Sequence, residues 1–195
     1  MTTKTTPTEK HPLSPFLPNG ARILMLGSFP PKRERWSMEF FYPNWINDMW
    51  RIFGLIFFGD KNHFVTEAKR FDRDRCASFA AGKGIAMFDT ASEVRRLKDN
   101  ASDKFLEIVT PTDIAALLKE IPDCTAIVTT GQKATDVIVG TYGCKEPEVG
   151  SFTTVVIDGK ELRFWRMPSS SRAYPLPLEK KAEPYRIMYE TEHIL

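Results

Sequence analysis

Three short apolar runs, each stopped by a turn or polar signal, constrain this chain more than any other feature. They are Ile23-Leu24-Met25-Leu26 before Gly27, Ile85-Ala86-Met87-Phe88 before Asp89, and Ala126-Ile127-Val128 before Thr129-Thr130-Gly131. Each reads as a buried strand feeding a loop, over Arg22 to Leu26, Ile85 to Asp89 and Ala126 to Thr130. Helical patterns lie between and after them. Asn44 to Phe58 carries Trp45, Met49, Trp50, Phe53 and Ile56 or Phe57 at helical spacing. Thr66 to Ala81 reads as one helix or two with a basic, solvated face, and Thr90 to Leu97 as a helical turn. Thr112-Asp113 caps a helix over Ile114 to Glu120 that Pro122 ends, and Lys133 to Val139 is helical in pattern.

Asp158-Gly159 between Thr153 to Ile157 and Glu161 to Met167 is a hairpin signal. It supplies one antiparallel neighbour and the last core strand. Glu179 to Tyr189 reads as a final helix broken near Pro184. Strands separated by helices indicate an α/β domain with a mainly parallel sheet. The 195 residues suit one domain. We place it at residues 21–195, after an N-terminal stretch of residues 1–20. In that stretch Met1 to Lys10 reads as a disordered Thr/Lys tail, and His11 to Gly20 as an extended, docked, Pro-rich segment.

Composition excludes several classes. Cys76, Cys124 and Cys144 form no Cys-x-x-Cys pair, so neither a disulfide framework nor a zinc or iron–sulfur site is indicated. Reduced thiols and a cytoplasmic location follow. No apolar run suits a secretory signal or a membrane span. The net charge of +2 is too small to announce a nucleic-acid binder by long-range field, although local patches could still act.

In open α/β sheets ligands sit outside the carboxyl ends of the strands. Those ends carry Gly27-Ser28-Phe29, Asp89-Thr90, Thr130-Gly131-Gln132 and Pro168-Ser169-Ser170-Ser171-Arg172. The first opens a long loop with the charged cluster Lys32-Arg33-Glu34-Arg35 and then Trp36, Phe40, Phe41, Tyr42, Asn44, Trp45 and Asn47. Long loops in compact domains bind something or are disordered, and this density of large apolar residues argues against disorder. The histidines, His11, His63 and His193, fall at no predicted strand end, so hydrolysis through a histidine-activated nucleophile is not expected. No Gly-rich phosphate loop and no metal-ligand cluster appear, so we expect no cofactor and no metal.

What remains suits a planar base and a phosphate chain. Phe29 could stack on a base. Ser169, Ser170 and Ser171 could hold phosphates, and Arg172 could enter a groove or replace a displaced base. Asn47 could orient a water or bond a base edge. Each residue taken alone is better read in a plain structural role: packing for Phe29, a helix cap for Asn47, a turn for the serines.

Leu26-Gly27-Ser28-Phe29-Pro30 and Asn47-Asp48-Met49-Trp50-Arg51, taken in order, resemble two motifs of the uracil-DNA glycosylase superfamily. The likeness is closest to its mismatch-specific and hypoxanthine-type branches. Gly84 to Thr90 resembles that family's strand before a recognition loop, Ser102-Asp103 loosely matches a downstream element, and Met167 to Ser171 looks like its late DNA-intercalation motif. The sequence departs from the pattern at Tyr42-Pro43-Asn44-Trp45-Ile46-Asn47, which makes Asn44 a rival to Asn47, and at Met167, where some branches carry histidine.

The resemblance implies a three-layer αβα fold with a central, mainly parallel four-stranded sheet. It implies a monofunctional glycosylase that hydrolyses the N-glycosidic bond of a flipped, deaminated base, uracil or hypoxanthine, in DNA. Asn47 would be catalytic. Gly27, Ser28, Phe29, Phe41 and Tyr42 would bind the base, and Ser169, Ser170, Ser171, Arg172, Lys32 and Arg33 would bind DNA. The expected partner is DNA with a damaged or mismatched base, bound by a monomer. Two other classes stay open: a non-catalytic DNA- or nucleobase-binding module on this fold, and a small-molecule enzyme using the same crevice.

Overall fold

A computed structural model describes residues 7–97 and 105–195. The strands are β1 (Thr8–Lys10), β2 (Ile23–Gly27), β3 (Ile85–Asp89), β4 (Ala91–Arg96), β5 (Leu106–Pro111), β6 (Ala126–Thr130), β7 (Ser151–Ile157) and β8 (Lys160–Met167). The helices are α1 (Met49–Phe58), α2 (Arg73–Gly82), α3 (Ile114–Glu120), α4 (Gln132–Tyr142) and α5 (Leu178–Thr191). The main sheet has the order β3-β2-β6-β8-β7, parallel except for β7. It contains five strands rather than the expected four, because both arms of the hairpin join it. β2 and β3 are buried at every position and β6 at all but its last, so both faces of the sheet centre are covered.

Local chemistry explains the elements that match expectation. At the hairpin tip Asp158 and Gly159 both take positive φ, 49° and 78°, as a two-residue turn between twisted strands requires. The Asp113 carboxylate accepts from the Ala116 N–H at 3.0 Å and starts α3. Local turns and long-range pairing explain the differences. Helix α1 begins at Met49 and not Asn44, because the Asn44 and Asn47 side chains accept from the Ile46 and Met49 N–H groups and turn the chain first. Of Thr66 to Ala81, only the part from Arg73 is helical; a Val65–Phe71 bridge folds the preceding stretch.

The expected helical turn over Thr90 to Leu97 is instead strand β4. It pairs antiparallel with β1 and β5 in a small second sheet of order β1-β4-β5. Residues 8–10 are therefore ordered as a strand, against the reading of a disordered tail. The polar loop Lys98 to Asp103, with its Ser102-Asp103 match, lies outside the described residues, as do residues 1–6. Helix α5 runs unbroken through Pro184, held by buried Lys181, Ala182, Tyr185, Met188 and Tyr189. The carbonyl that Pro184 leaves without an amide partner belongs to the exposed Lys180, where water can serve it. Among the described residues no helix is long and apolar enough to cross a membrane.

The α5 end is locked to the sheet by one carboxylate. Glu192, 1% exposed, accepts from Trp165 Nε1 at 2.7 Å and takes both Arg163 Nε and Nη2 at 2.7 Å. Glu192→Ala strands the indole donor and unpairs the guanidinium, so urea denaturation should read a loss of about 3 kcal/mol.

Candidate functional site

The carboxyl ends of β2 and β3 lie level, with Gly27 opposite Asp89. A Cβ at Gly27 would stand 2.4 Å from Asp89 Oδ1 and 3.9 Å from Tyr42 Cε1. Only glycine therefore lets the Asp89 carboxylate lie across the end of β2. Tyr42, itself at φ 52°, exchanges a hydrogen bond with Thr130 Oγ1 at 3.1 Å, which ties the long loop to the end of β6. Burial drives the Tyr42 phenol far above its ordinary range; the Thr130 bond opposes this and nearby Asp89 adds to it. The group stays a neutral phenol.

Sequence reading placed no histidine at a strand end, and the structure corrects that. His11 Nε2 lies 2.8 Å from Asp89 Oδ2, with side chains 4% and 11% exposed. Its ring centroid is 4.4 Å from that of Phe88, 5.1 Å from Phe29 and 6.3 Å from Phe41. Pairing of β1 with β4 and a Phe16–Met87 bridge lay the N-terminal segment along the free edge of β3 and bring His11 to the carboxyl end of that strand. Only the docked, Pro-rich character of His11 to Gly20 hinted at this; nothing local pointed to Asp89.

Phe29 sits at the same place, 8% exposed, on a small core of Ala91, Val94 and Leu106. The Arg96 guanidinium lies 5.6 Å from its ring centroid and is itself held by Glu9 and the Pro30 carbonyl. Phe41, also buried, accepts the Trp50 indole N–H on its carbonyl at 2.9 Å. Ser28 is buried beside Phe29.

The second half of the site joins residues far apart in sequence. Asn47 and Ser171 form an antiparallel bridge, and the Asp48 N–H donates to the Ser170 carbonyl at 2.8 Å. Asp48, 6% exposed, accepts from Arg172 Nε at 3.0 Å and from Lys181 Nζ at 3.1 Å. Lys181, 1% exposed, also donates to the Ser171 carbonyl at 2.8 Å. One buried carboxylate thus binds the start of α1, the serine run and α5 together. Asn47 Oδ1 is occupied by the Met49 N–H, while its Nδ2 has no partner among the described residues. Asn44 turns toward Trp36, with which it bridges.

Within the serine run, Ser169 Oγ accepts from the Ser171 N–H at 3.2 Å and Ser171 Oγ from the Ala173 N–H at 3.2 Å. Ser170 is buried. A Cβ at Gly131 would touch Ser169 Cβ at 3.6 Å, so the β6 end abuts the serine run. Lys32 and Arg33 are exposed; Arg33 pairs with Glu39 and lies over Trp36. They line a cavity of about 220 Å³ with Phe29, Trp36 and Arg96. A larger cavity, about 400 Å³, lies beside Arg22, Gly84 and His193 at the opposite end of the strands. No group of three His, Cys, Asp or Glu side chains suited to a metal occurs among the described residues.

Neither a family model nor a curated protein sequence matches the chain. A solution NMR structure of a putative uracil DNA glycosylase from Methanosarcina acetivorans does match in three dimensions, with a TM-score of 0.64 and 17% identity. The alignment covers 94% of this chain and 98% of that one. The fold is thus a uracil-DNA glycosylase-like α/β architecture around a mainly parallel sheet.

Lys181→Met removes one of two cations from a buried carboxylate, so stability should fall by about 3 kcal/mol in chemical denaturation.

Proposed function

We propose that this protein is a monofunctional DNA glycosylase that hydrolyses the N-glycosidic bond of a flipped, deaminated base, uracil or hypoxanthine. The observation that carries this reading is the backbone bridge between Asn47 and Ser171. It brings the Asn47 backbone beside the serine run, and in this reading the Asn47 amide orients water while the serines meet phosphate. The glycosylase-like fold supports the same reading.

In this mechanism the base leaves the stack and meets the aromatic end of the site, Phe29 with Phe41 and Tyr42, above Gly27 and Ser28. Ser169, Ser170 and Ser171 hold the flanking phosphates, Lys32 and Arg33 add charge at the rim, and Arg172 faces the gap in the duplex. The C1′–N bond breaks and the base takes the electron pair. Water oriented by Asn47 bonds to C1′, and its proton passes to the departing base or to solvent. An amide is a poor base, so the rate depends on the leaving ability of the base and on electrostatic stabilisation of the cation-like sugar.

Duplexes containing uracil, hypoxanthine, xanthine or a thymine mismatch, scored for abasic product by alkaline strand cleavage, test this. Product should appear on uracil or hypoxanthine. Asn47→Ala should slow it by about a hundredfold or more, and Asn44→Ala by less than about tenfold. Absence of product on every duplex at high enzyme concentration overturns the reading. Salt-dependent DNA binding without product would identify a binding module, and no DNA affinity at low salt a small-molecule enzyme.

A further inference from the structure

The edges of the two sheets are guarded, with one exception. In the main sheet β3 is flanked by the N-terminal segment, where the Phe16 and Met87 backbones exchange hydrogen bonds of 3.0 and 2.9 Å. In the small sheet β1 carries Glu9 and Lys10, and β5 carries Glu107 and Pro111. Charges and prolines of this kind discourage a second chain from pairing. Strand β7 has neither device. Its seven residues, Ser151 to Ile157, are uncharged, and its outer edge pairs with no strand among the described residues.

One face of that strand is apolar and open. Phe152 and Val156 are 45% and 55% exposed, with Thr154 exposed between them. The Phe152 ring centroid lies 4.7 Å from that of Trp165, whose indole bonds Glu192, so this is the face that α5 covers further in. A Cβ at Gly150 would stand 3.1 Å from Pro184 of α5, and Ile187, 56% exposed, follows one turn later. With Val149, these side chains form an unpartnered apolar strip along an open edge. A strand of this length and composition is a template for another strand.

We propose that this edge is the interface of a homodimer, in which β7 pairs antiparallel with β7 of a second copy about a two-fold axis at Thr154. The pattern of the strand selects that occupant. Such an axis sets Phe152 opposite Val156 of the other copy, twice, and Thr154 opposite its own counterpart. Aromatic–β-branched and Thr–Thr pairs are both favourable cross-strand neighbours. A two-fold contact requires this kind of self-complementarity, because the same patch serves both partners. The two five-stranded sheets then become one continuous sheet, with Ile187 of each α5 flanking the joint.

Area sets the strength. The exposed parts of Val149, Phe152, Val156 and Ile187, with the strand backbone, offer about 500 Å² per copy and about 1,000 Å² in all, the lower bound for a specific interface. The dimer is therefore weak, with a micromolar dissociation constant, and stands in place of the monomer expected from the sequence. It uses the side of the sheet and none of the residues at the strand ends, so it holds whether or not the protein cleaves DNA.

Sedimentation velocity on the full chain, from low to high micromolar concentration, should show monomer passing to dimer and no larger species. Thr154→Lys sets two lysines against each other across the axis; it and Phe152→Lys should each weaken the dimer by about tenfold or more. Thermal melting checks each variant, and Thr154→Lys alone decides if Phe152→Lys fails to fold. The register is read by Thr154→Cys in a Cys144→Ser background. Opposed residues of an antiparallel pair lie within disulfide reach, so mild oxidation should give a covalent dimer on a denaturing gel. Thr153→Cys, which the axis sets opposite Val155, should give little. A monomer at every concentration, or a dimer that Thr154→Lys leaves intact, overturns the interface. A monomer that instead takes up an unrelated extended apolar peptide at β7 reassigns the edge to another protein's strand and overturns the second copy.

Discussion

The Asp48 carboxylate is the charge on which this architecture turns. It is buried at the first turn of α1, where a lone anion would cost several kcal/mol, and only the cations that reach it make the position tenable. Those cations are Lys181 from α5 and Arg172 from the loop after β8, elements more than a hundred residues further along the chain. Charge neutralisation therefore fixes where the serine run can lie, and the Asp48 N–H to Ser170 carbonyl bond fixes its register. Arg51 completes the surroundings. Burial and then Arg172 lower its pKa, Asp48 opposes them, and its guanidinium stacks 4.4 Å from the Trp45 ring centroid. Hydrophobic burial alone would not specify such a joint, because apolar packing tolerates small shifts that a hydrogen-bonded ion pair does not.

The parallel register does the rest. Gly27 lies level with Asp89, Leu26 with Thr129, and Thr130 with Met167, so the loops leaving four strands begin at one height. That alignment was legible in the sequence because three of those strands are continuous apolar runs, and such runs need neighbours on both faces. The hairpin was legible for a different reason, since Asp158-Gly159 has a local conformational preference that needs no tertiary help. Strand β4 was not legible. Its half-buried polar positions Ser92, Glu93, Arg95 and Arg96 imitate a polar helix face, and its buried Ala91 and Val94 stand three apart, a helical spacing. Its strand conformation comes from β1 and β5, which contribute their backbone groups from distant segments.

The site divides along the same line. Gly27 to Phe29, Asn47 and the serines could be singled out because strand ends and short motifs are local signals, although the roles assigned to them rest on chemistry rather than on geometry. Strand-end topology made it reasonable to suspect that Asn47 and Ser171 adjoin, but it could not fix the contact, which depends on Asp48 finding Lys181. His11 was not legible in the sequence, because it falls at no strand end that the pattern predicts. Its position follows from the β1–β4 pairing and from Phe16, whose backbone bridges Met87 and whose ring lies 5.1 Å from that of Phe40. A segment without secondary-structure pattern can still be the most constrained part of a site when its neighbours supply the hydrogen bonds.

The aromatic loop after β2 changes meaning in this light. Its large residues are mostly buried: Phe29, Phe40 and Phe41 are each below 9% exposed, and Tyr42 is spent on Thr130. The loop is therefore an extension of the core that carries polar groups, not a flexible surface rich in sticky side chains. Rigidity of this kind suits recognition, because side chains already ordered by packing lose little entropy when a ligand arrives. The exposed charges at Lys32 to Arg35 are the exception, standing outside that core on a single helical turn. The division places packed, ordered side chains inside and exposed charge outside.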